Sequence, residues 1–172
     1  MTGTERSIIL IGFMGTGKSA VGQQLAQFTA RACLDTDEMV AQACGMPISQ
    51  IFERLGEERF RDEESAVLHE LDADLPSVIV TGGGVVLRPA NVARLRELGS
   101  VVCLRADLPT LVRRLETGSG RPLLAAENLA DTVGRLLLER QPFYDDAADF
   151  TVDTSALGPQ KVALAIQDAL AR

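Results

Sequence analysis

The sequence predicts an α/β fold in three layers, with a parallel β-sheet between two layers of helices. Five apolar runs that suit strands alternate with amphipathic stretches that suit helices. Most of these runs also lack the two-residue alternation of a sheet with one wet face. Alternating strands and helices are typical of βαβ units, whose strands are parallel. The chain has 172 residues and no internal repeat or linker, so we expect a single domain over residues 1–172.

Five strand candidates and six helix candidates follow one another along the chain. The strand candidates are residues 7–12, 32–35, 77–81, 100–105 and 149–153, and the first four suit strands buried on both faces. The helix candidates are residues 18–30, 58–73, 90–98, 107–116, 127–141 and 159–171. Pro89, Pro109 and Pro159 stand where helices should begin, because the first helical turn does not need the missing N–H group. Segment 117–126, TGSGRPLLAA, has no regular pattern and suits a surface loop or a mobile lid.

The overall charge excludes two classes of partner. A net charge of −7 argues against nucleic acid and against anionic membranes, because both favour a basic surface. The amino terminus has neither the apolar core of a signal peptide nor a run that could span a bilayer, so we expect a cytoplasmic protein. Separately, we expect a monomer. Cys33, Cys44 and Cys103 are odd in number and no pair has metal-ligand spacing, which predicts reduced thiols.

A glycine-rich stretch after the first strand holds one of only two lysines in the chain. Residues 12–19, GFMGTGKS, fit the pattern G-x-x-x-x-G-K-[ST] and stand between a strand and an amphipathic helix, as that pattern requires. Glycines allow successive backbone N–H groups to point at one anion, and the helix amino terminus adds partial positive charge. Lys18 can then reach the β- and γ-phosphates, and the Ser19 hydroxyl can bind Mg²⁺. The stretch predicts a nucleoside triphosphate site without naming a reaction.

Two aspartates after the second strand candidate suit a magnesium ion and an acceptor alcohol. Asp35 and Asp37 lie two residues apart, so in an extended chain both point to one side of the carboxyl edge of the sheet. One carboxylate could hold Mg²⁺ while the other accepts a proton from a hydroxyl. Alternatively, one or both cap the helix that should begin near Glu38. The chain lacks the Asn-Lys-x-Asp motif of GTPases, which argues against guanine specificity.

Six segments, in the same order, resemble the shikimate kinase family. They are the glycine-rich loop, Asp35-Thr-Asp37, residues 51–64 (IFERLGEERFRDEE), Gly82-Gly83-Gly84, Arg121-Pro-Leu, and residues 139–154 (ERQPFYDDAADFTVDT). The resemblance implies a P-loop kinase with a five-stranded parallel sheet, a lid at about 117–126 and an acceptor-binding region at about 36–64. It also implies transfer of the ATP γ-phosphoryl group to the 3-hydroxyl of shikimate, with Mg²⁺ as the cofactor.

The resemblance implies a role for each matching residue. By similarity, the nucleotide contacts are Gly12, Gly15, Thr16, Gly17, Lys18, Ser19, Ala20, Arg114, Arg121 and Pro159. Asp35 joins Ser19 at the metal ion, and the shikimate contacts are Asp37, Arg61, Gly82, Gly83, Gly84 and Arg140. Lys18, Asp37 and Arg121 are implied to be catalytic, with Arg121 near the transferring phosphate. Arginine suits such places because its planar fork binds a carboxylate or phosphate through two hydrogen bonds.

Purely structural alternatives stay open for three of the four arginines that have an implied role. Arg61 could pair on a solvated helix face with the nearby glutamates, Glu57, Glu58 and Glu64. Arg140 could complement the dipole of a helix near its end, and Arg121 could be an ordinary surface residue. Two other functions also stay open: a kinase for another polyhydroxy acid such as gluconate, and a non-catalytic ATP-binding module.

Overall fold

The strands and helices alternate along the chain as predicted. The computed structural model describes residues 6–117 and 128–171, and within them five strands form: β1 (Ser7–Gly12), β2 (Cys33–Asp35), β3 (Val78–Val80), β4 (Gly99–Arg105) and β5 (Phe150–Asp153). The α-helices of the same residues are α1 (Lys18–Thr29), α2 (Thr36–Cys44), α3 (Ile48–Glu70), α4 (Pro89–Leu98), α5 (Leu108–Glu116), α6 (Leu129–Ala147) and α7 (Pro159–Leu170). A short 3₁₀-helix spans Val85–Leu87.

The five strands form one parallel sheet in the order β2-β3-β1-β4-β5, which confirms the predicted fold class. Central β1 pairs with β3, where Ile8 faces Val78, and with β4, where Ile9 faces Val101. The chain places β2 and β3 on one side of β1 and β4 and β5 on the other. Ligands of such sheets bind beyond the carboxyl ends of the strands, where the strand order reverses. The glycine-rich loop, which follows β1 directly, therefore lies at that point.

Alternate residues of the central strands point into two separate cores. One core lies between the sheet and a helical layer that includes α4 and α6, and the other lies between the sheet and α1 and α7. Ile9 and Ile11 belong to the first core, while Ile8 and Leu10 belong to the second. A third, smaller cluster joins α2 to α3 through Val40, Ile51, Phe60 and Val67. No helix in the described residues combines the length and the apolar character needed to cross a membrane.

Several local predictions differ from the structure. Strand β2 pairs only with β3, so it is an edge strand with Cys33 exposed, and it is not buried on both faces. The predicted helix 58–73 is only the second part of α3, which starts at Ile48 and is interrupted at Gly56, where φ is 84°. Helix α2 was not among the six helix candidates, but it is the helix expected to begin near Glu38, and it begins at Thr36. All three cysteines are free thiols, as predicted.

Helix α6 is also longer than predicted, because it continues through Pro142 to Ala147. A proline inside a helix removes one hydrogen bond to the carbonyl four residues earlier. Here that carbonyl belongs to Leu138, which is 78% exposed, so water can take the place of the missing donor. The three prolines predicted at helix starts lie there: Pro89 and Pro159 open α4 and α7, and Pro109 is the second residue of α5.

Candidate active site

The loop between β1 and α1 has a backbone that requires glycine. The φ angles of Gly12, Gly15 and Gly17 are 140°, 82° and 92°, values that other residues rarely adopt. A Cβ atom on Gly12 would also lie 2.3 Å from the carbonyl oxygen of Leu104, so only glycine allows the loop to rest against β4. The loop leads into the amino terminus of α1, whose first N–H groups have no helical partner and suit an anion. This geometry is that of a phosphate loop.

Lys18 and Ser19, the first two residues of α1, both line the cavity beside this loop. Lys18 is buried, and its Nζ donates to the carbonyl oxygens of Gly12 at 2.8 Å and Phe13 at 3.0 Å, which holds the ammonium group across the loop. Ser19 and Ala20 are exposed and line a cavity of about 370 Å³ together with Gly15, Gly17 and Lys18. The opposite wall of the same cavity comes from Asp35, Asp37, Val80, Thr81, Gly82 and Gly83.

The two aspartates that follow β2 have different surroundings. Asp35 caps helix α2, because its Oδ1 accepts hydrogen bonds from the N–H groups of Asp37 at 2.9 Å and Glu38 at 3.4 Å. Asp37 lies in the first turn of α2, and a Cβ atom on Gly82 would be only 2.7 Å from its Oδ1. The capping alternative therefore holds for Asp35, while Asp37 faces the glycine triplet.

The residues at the cavity suit a magnesium ion that arrives with a nucleotide. Ser19 and Asp35 line the same cavity, and both capping bonds of Asp35 use Oδ1, which leaves Oδ2 for a metal. Among the described residues, no group of three or more His, Cys, Asp or Glu side chains could hold a metal ion without help. Magnesium usually keeps water ligands and takes one or two protein oxygens together with phosphate oxygens. The oxygen donors present fit that coordination.

Arg61 is a buried arginine that two glutamates hold in place. It is only 8% exposed, and its Nη1 lies 2.9 Å from Oε2 of Glu64, while its Nη2 lies 3.3 Å from Oε1 of Glu57. Glu57 and Glu64, two of the three glutamates considered as partners, therefore do pair with Arg61; Arg61 and Glu64 are buried, whereas Glu57 is exposed. The guanidinium group also lies against Gly84, where a Cβ atom would be 2.3 Å from Nη2.

Glu64 is a residue that the sequence-based analysis left without a role of its own. It is fully buried, and burial raises the pKa of its carboxyl group, although Arg61 acts in the opposite direction. Its Oε1 accepts no hydrogen bond from any described residue and lies near Gly82, where a Cβ atom would be 2.9 Å away. The signal that could have identified it is its position three residues after Arg61, since residues at that spacing are neighbours on a helix.

Arg140 lies in the middle of α6 and is also buried, with 7% of its surface exposed. Its guanidinium carbon is 6.0 Å from the centre of the Phe13 ring, next to the phosphate loop. Because α6 continues to Ala147, the alternative that Arg140 complements a helix end is wrong. Tyr144, one turn later, is a second residue that the sequence-based analysis missed: it is 1% exposed, and its hydroxyl donates to the carbonyl oxygen of Gly83.

A second cavity, of about 170 Å³, adjoins the phosphate loop and shares Gly17 and Arg114 with the first. It is lined by Thr16, Gly17, Val21, Arg114, Thr154, Leu157, Pro159 and Val162. Arg114 donates from Nη1 to the carbonyl oxygen of Gly15 at 3.1 Å and from Nη2 to the carbonyl oxygen of Thr154 at 2.8 Å. Arg114 therefore braces the phosphate loop against the end of β5. Arg121 and, apart from Thr117, the predicted lid at 117–126 lie outside the described residues.

A phosphate loop that shares one cavity with two aspartates at the carboxyl edge of a parallel sheet indicates the class of protein, an ATP-dependent kinase with the P-loop fold. A family model described as shikimate kinase matches residues 14–171, and the chain belongs to the shikimate kinase family. A shikimate kinase from Thermodesulfovibrio yellowstonii is 44% identical over 158 residues, which are 92% of this chain and 91% of that relative. The predicted family is thereby confirmed.

Solved structures agree with this assignment. A shikimate kinase from Acinetobacter baumannii, in complex with shikimate, matches with a TM-score of 0.92 and 34% identity over 98% of this chain and 94% of that chain. A gluconokinase from Sinorhizobium meliloti matches with a TM-score of 0.62 and 20% identity over 98% of this chain and 93% of that chain, which shows a shared fold alone. The comparison therefore favours the shikimate kinases over the gluconate kinases, and an enzyme over a non-catalytic module.

Proposed function

We propose that the protein transfers the γ-phosphoryl group of ATP to the 3-hydroxyl of shikimate, giving shikimate 3-phosphate and ADP. One observation carries this proposal: the phosphate loop and the acceptor-side residues Asp37, Gly82 and Gly83 line a single cavity of about 370 Å³. Phosphoryl transfer requires mainly that donor and acceptor be held in line and that charge be neutralised. A shared cavity provides the first of these conditions.

The nucleotide side combines main-chain and side-chain donors. The N–H groups of residues 15–19 would bind the β- and γ-phosphates with Lys18, and Arg121 would join them from the lid. The adenine would lie in the smaller cavity beside Arg114 and Pro159. Ser19 and Asp35 would hold Mg²⁺, and the bound ion would neutralise part of the phosphate charge. Asp35 would do so while it caps α2, because the two tasks use different oxygens of one carboxylate.

The acceptor side is suited to a rigid cyclic acid. Arg61 and Arg140 are both buried and would hold the shikimate carboxylate, with the backbone of Gly82–Gly84 as the floor of the pocket. Asp37 would accept a hydrogen bond from the acceptor alcohol and orient its oxygen towards the γ-phosphorus. As the new P–O bond forms, the alcohol proton passes to Asp37 or to a phosphate oxygen, and the bond to the β-phosphate breaks. Lys18 and Arg121 would stabilise the charge of the transferring group.

A coupled assay of ADP release tests the proposal. Purified protein with ATP and Mg²⁺ is given shikimate, gluconate, or a shikimate analogue in which a neutral amide replaces the carboxylate. We expect turnover with shikimate, none with gluconate, and a large loss with the amide, because buried arginines without an anion are costly. Chelation with EDTA should stop the reaction, and excess Mg²⁺ should restore it. Equal rates with shikimate and gluconate would contradict the proposed acceptor.

Three further properties form part of this proposal. The net charge of −7 supports a protein that binds neither nucleic acid nor an anionic membrane. We expect residues 1–172 to act as one kinase domain and as a monomer, because both substrates find their contacts within this chain. Sedimentation at several concentrations would test the oligomeric state. We also expect the enzyme to work in the cytoplasm, where ATP is available.

A further inference from the structure

Tyr144 connects the two parts of the acceptor pocket. Its hydroxyl donates to the carbonyl oxygen of Gly83. Burial raises the pKa of this hydroxyl, and the guanidinium group of Arg140, one turn earlier on α6, lies close enough to act in the opposite direction. The ring is buried in the core between the sheet and the helices, so it has little freedom to move. One phenol oxygen therefore bonds to the glycine triplet and lies close to a buried arginine.

The peptide between Gly83 and Gly84 has a direction that follows from this bond. The structure contains no cis peptide in its described residues, and in a planar trans peptide the C=O and N–H groups point in opposite directions. Because the carbonyl of Gly83 points at Tyr144, the N–H group of Gly84 points away from α6. Gly84 itself lies against the guanidinium group of Arg61. The Gly84 N–H group thus points away from α6, in a residue that lies against Arg61.

Three consecutive glycines cannot hold such a peptide in place without help. Glycine has no Cβ atom and reaches backbone angles that other residues avoid, so the 83–84 peptide could rotate at little cost. A rotation would turn a carbonyl oxygen, instead of an N–H group, towards a bound anion. The hydrogen bond from Tyr144 opposes that rotation, because the rotation would break the bond and leave the buried Tyr144 hydroxyl without its acceptor.

We infer that Tyr144 is a positioning residue for the acceptor: its hydroxyl fixes the 83–84 peptide so that the N–H group of Gly84 donates to the acceptor carboxylate beside Arg61. The inference rests on the proposed function for the identity of that carboxylate. Tyr144 itself does not touch the acceptor or the reacting atoms. Its effect should therefore appear in acceptor binding and leave the chemical step unchanged.

The variant Tyr144→Phe tests this role because it keeps the aromatic ring and removes only the hydroxyl. We expect the KM for shikimate to rise about tenfold, as for the loss of a buried hydrogen bond, while kcat and the KM for ATP stay within about twofold. The KM for ATP is a necessary readout, since Gly83 also lies next to Gly12 and Met14 of the phosphate loop. Phe143→Leu, at the neighbouring and half-exposed position, is the matched control and should change none of these constants.

A second measurement decides the inference without any acceptor. In the ligand-free protein, the Gly84 amide should exchange its hydrogen at least about fivefold faster in Tyr144→Phe than in the unmodified enzyme, because the peptide loses the bond that holds it. Equal exchange, or a KM for shikimate changed less than twofold in an active enzyme, would overturn the positioning role. If the unmodified enzyme does not use shikimate, the proposed function fails, and the exchange rates still decide whether Tyr144 holds the peptide. Since Tyr144 is the only tyrosine and the chain has no tryptophan, ultraviolet absorption above 275 nm also reports directly on its surroundings.

Discussion

The two walls of the proposed active site, one for the phosphates and one for the acceptor, are built in different ways. On the phosphate side, the backbone of residues 12–17 supplies the binding groups, and glycines at 12, 15 and 17 adopt the angles that this requires. On the proposed acceptor side, side chains from three helices would supply them: Asp37 from α2, Arg61 from α3 and Arg140 from α6. The first wall depends on one short stretch of chain, and the second depends on how distant helices pack.

This difference predicts different responses to substitution. The phosphate loop is anchored locally, because Lys18 and Thr16 bond to carbonyl oxygens within the loop itself. The acceptor wall is anchored by buried charges, above all the pair of Arg61 and Glu64, and such pairs are costly to break. Substitutions in the acceptor wall should therefore separate into those that affect the chemistry, those that affect stability and those that affect acceptor affinity.

The largest effect should come from Asp37→Asn. We expect kcat to fall by about 10²–10⁴, because the amide cannot accept the proton of the acceptor alcohol, while the Kd for ATP stays within about twofold. Single-turnover kinetics and ATP titration measure the two quantities. Asp62→Asn, at an exposed position on α3, controls for the loss of one negative charge. A comparable loss of ATP affinity would contradict the proposal that Asp37 acts on the acceptor and not on ATP.

The second effect concerns stability and compares the two buried arginines. Arg61→Ala would leave Glu64 fully buried without its cationic partner, and breaking such a pair costs about 3–5 kcal/mol of unfolding free energy. Arg140→Met, which keeps an unbranched side chain beside the Phe13 ring, should cost less. Urea unfolding measures both, and the double variant Arg61→Ala with Glu64→Gln should recover part of the loss. If the two single variants lost the same unfolding free energy, the ion pair of Arg61 and Glu64 would contribute no more to stability than Arg140 does.

The third effect is a dependence of stability on pH that comes from Glu64. Burial raises the pKa of this carboxyl group, Arg61 lowers it, and Asp37 and Arg88 also face it, raising and lowering it respectively. A raised pKa in the folded state means that the contribution of Glu64 to stability is complete below its ordinary value of about 4.3 and is lost as the pH rises through the folded value.

We therefore expect the melting temperature of the unmodified enzyme, relative to that of Glu64→Gln, to decrease as the pH rises above about 4.3, because the variant has no group that ionises there. Differential scanning calorimetry across this range measures the difference. Glu58→Gln, on the exposed face of the same helix, should keep a constant offset from the unmodified enzyme. A constant offset for Glu64→Gln as well would contradict the raised pKa.

How much the sequence predicts also differs between the two walls. The phosphate loop is a contiguous pattern, so Gly12, Lys18 and Ser19 could be assigned without any knowledge of packing. Glu64 and Tyr144 could not, because their roles depend on which residues of α3, α6 and the glycine triplet meet in the folded chain. Only the helical spacings, Arg61 to Glu64 and Arg140 to Tyr144, gave a hint of these contacts.

The alternation of apolar runs with helical stretches was enough to predict the parallel sheet. The wrong helix boundaries arose where a single residue breaks a helical pattern. At Gly56 the chain leaves the helical angles within α3, and the helical pattern before it was too short to identify. At Pro142 the helix continues although proline usually ends one, because the carbonyl that loses its partner lies on the wet face. The edge position of β2 depends on strand order, which local composition does not contain.

The smallest effect should come from Glu57, the outer partner of Arg61. Its side chain is 52% exposed and its Oε1 lies 3.3 Å from Nη2 of Arg61, so the pair is worth about 1 kcal/mol or less. In the ligand-free protein Glu57 pairs with Nη2 of Arg61, a hydrogen-bond donor that the proposed acceptor carboxylate would use. Glu57→Gln should therefore lower the KM for shikimate by about twofold at low salt, without a change in kcat, and added salt should remove the difference because it screens exposed charges. Glu58→Gln should show neither change, and a higher KM in Glu57→Gln would mean that Glu57 orients Arg61 for the acceptor and does not compete with it.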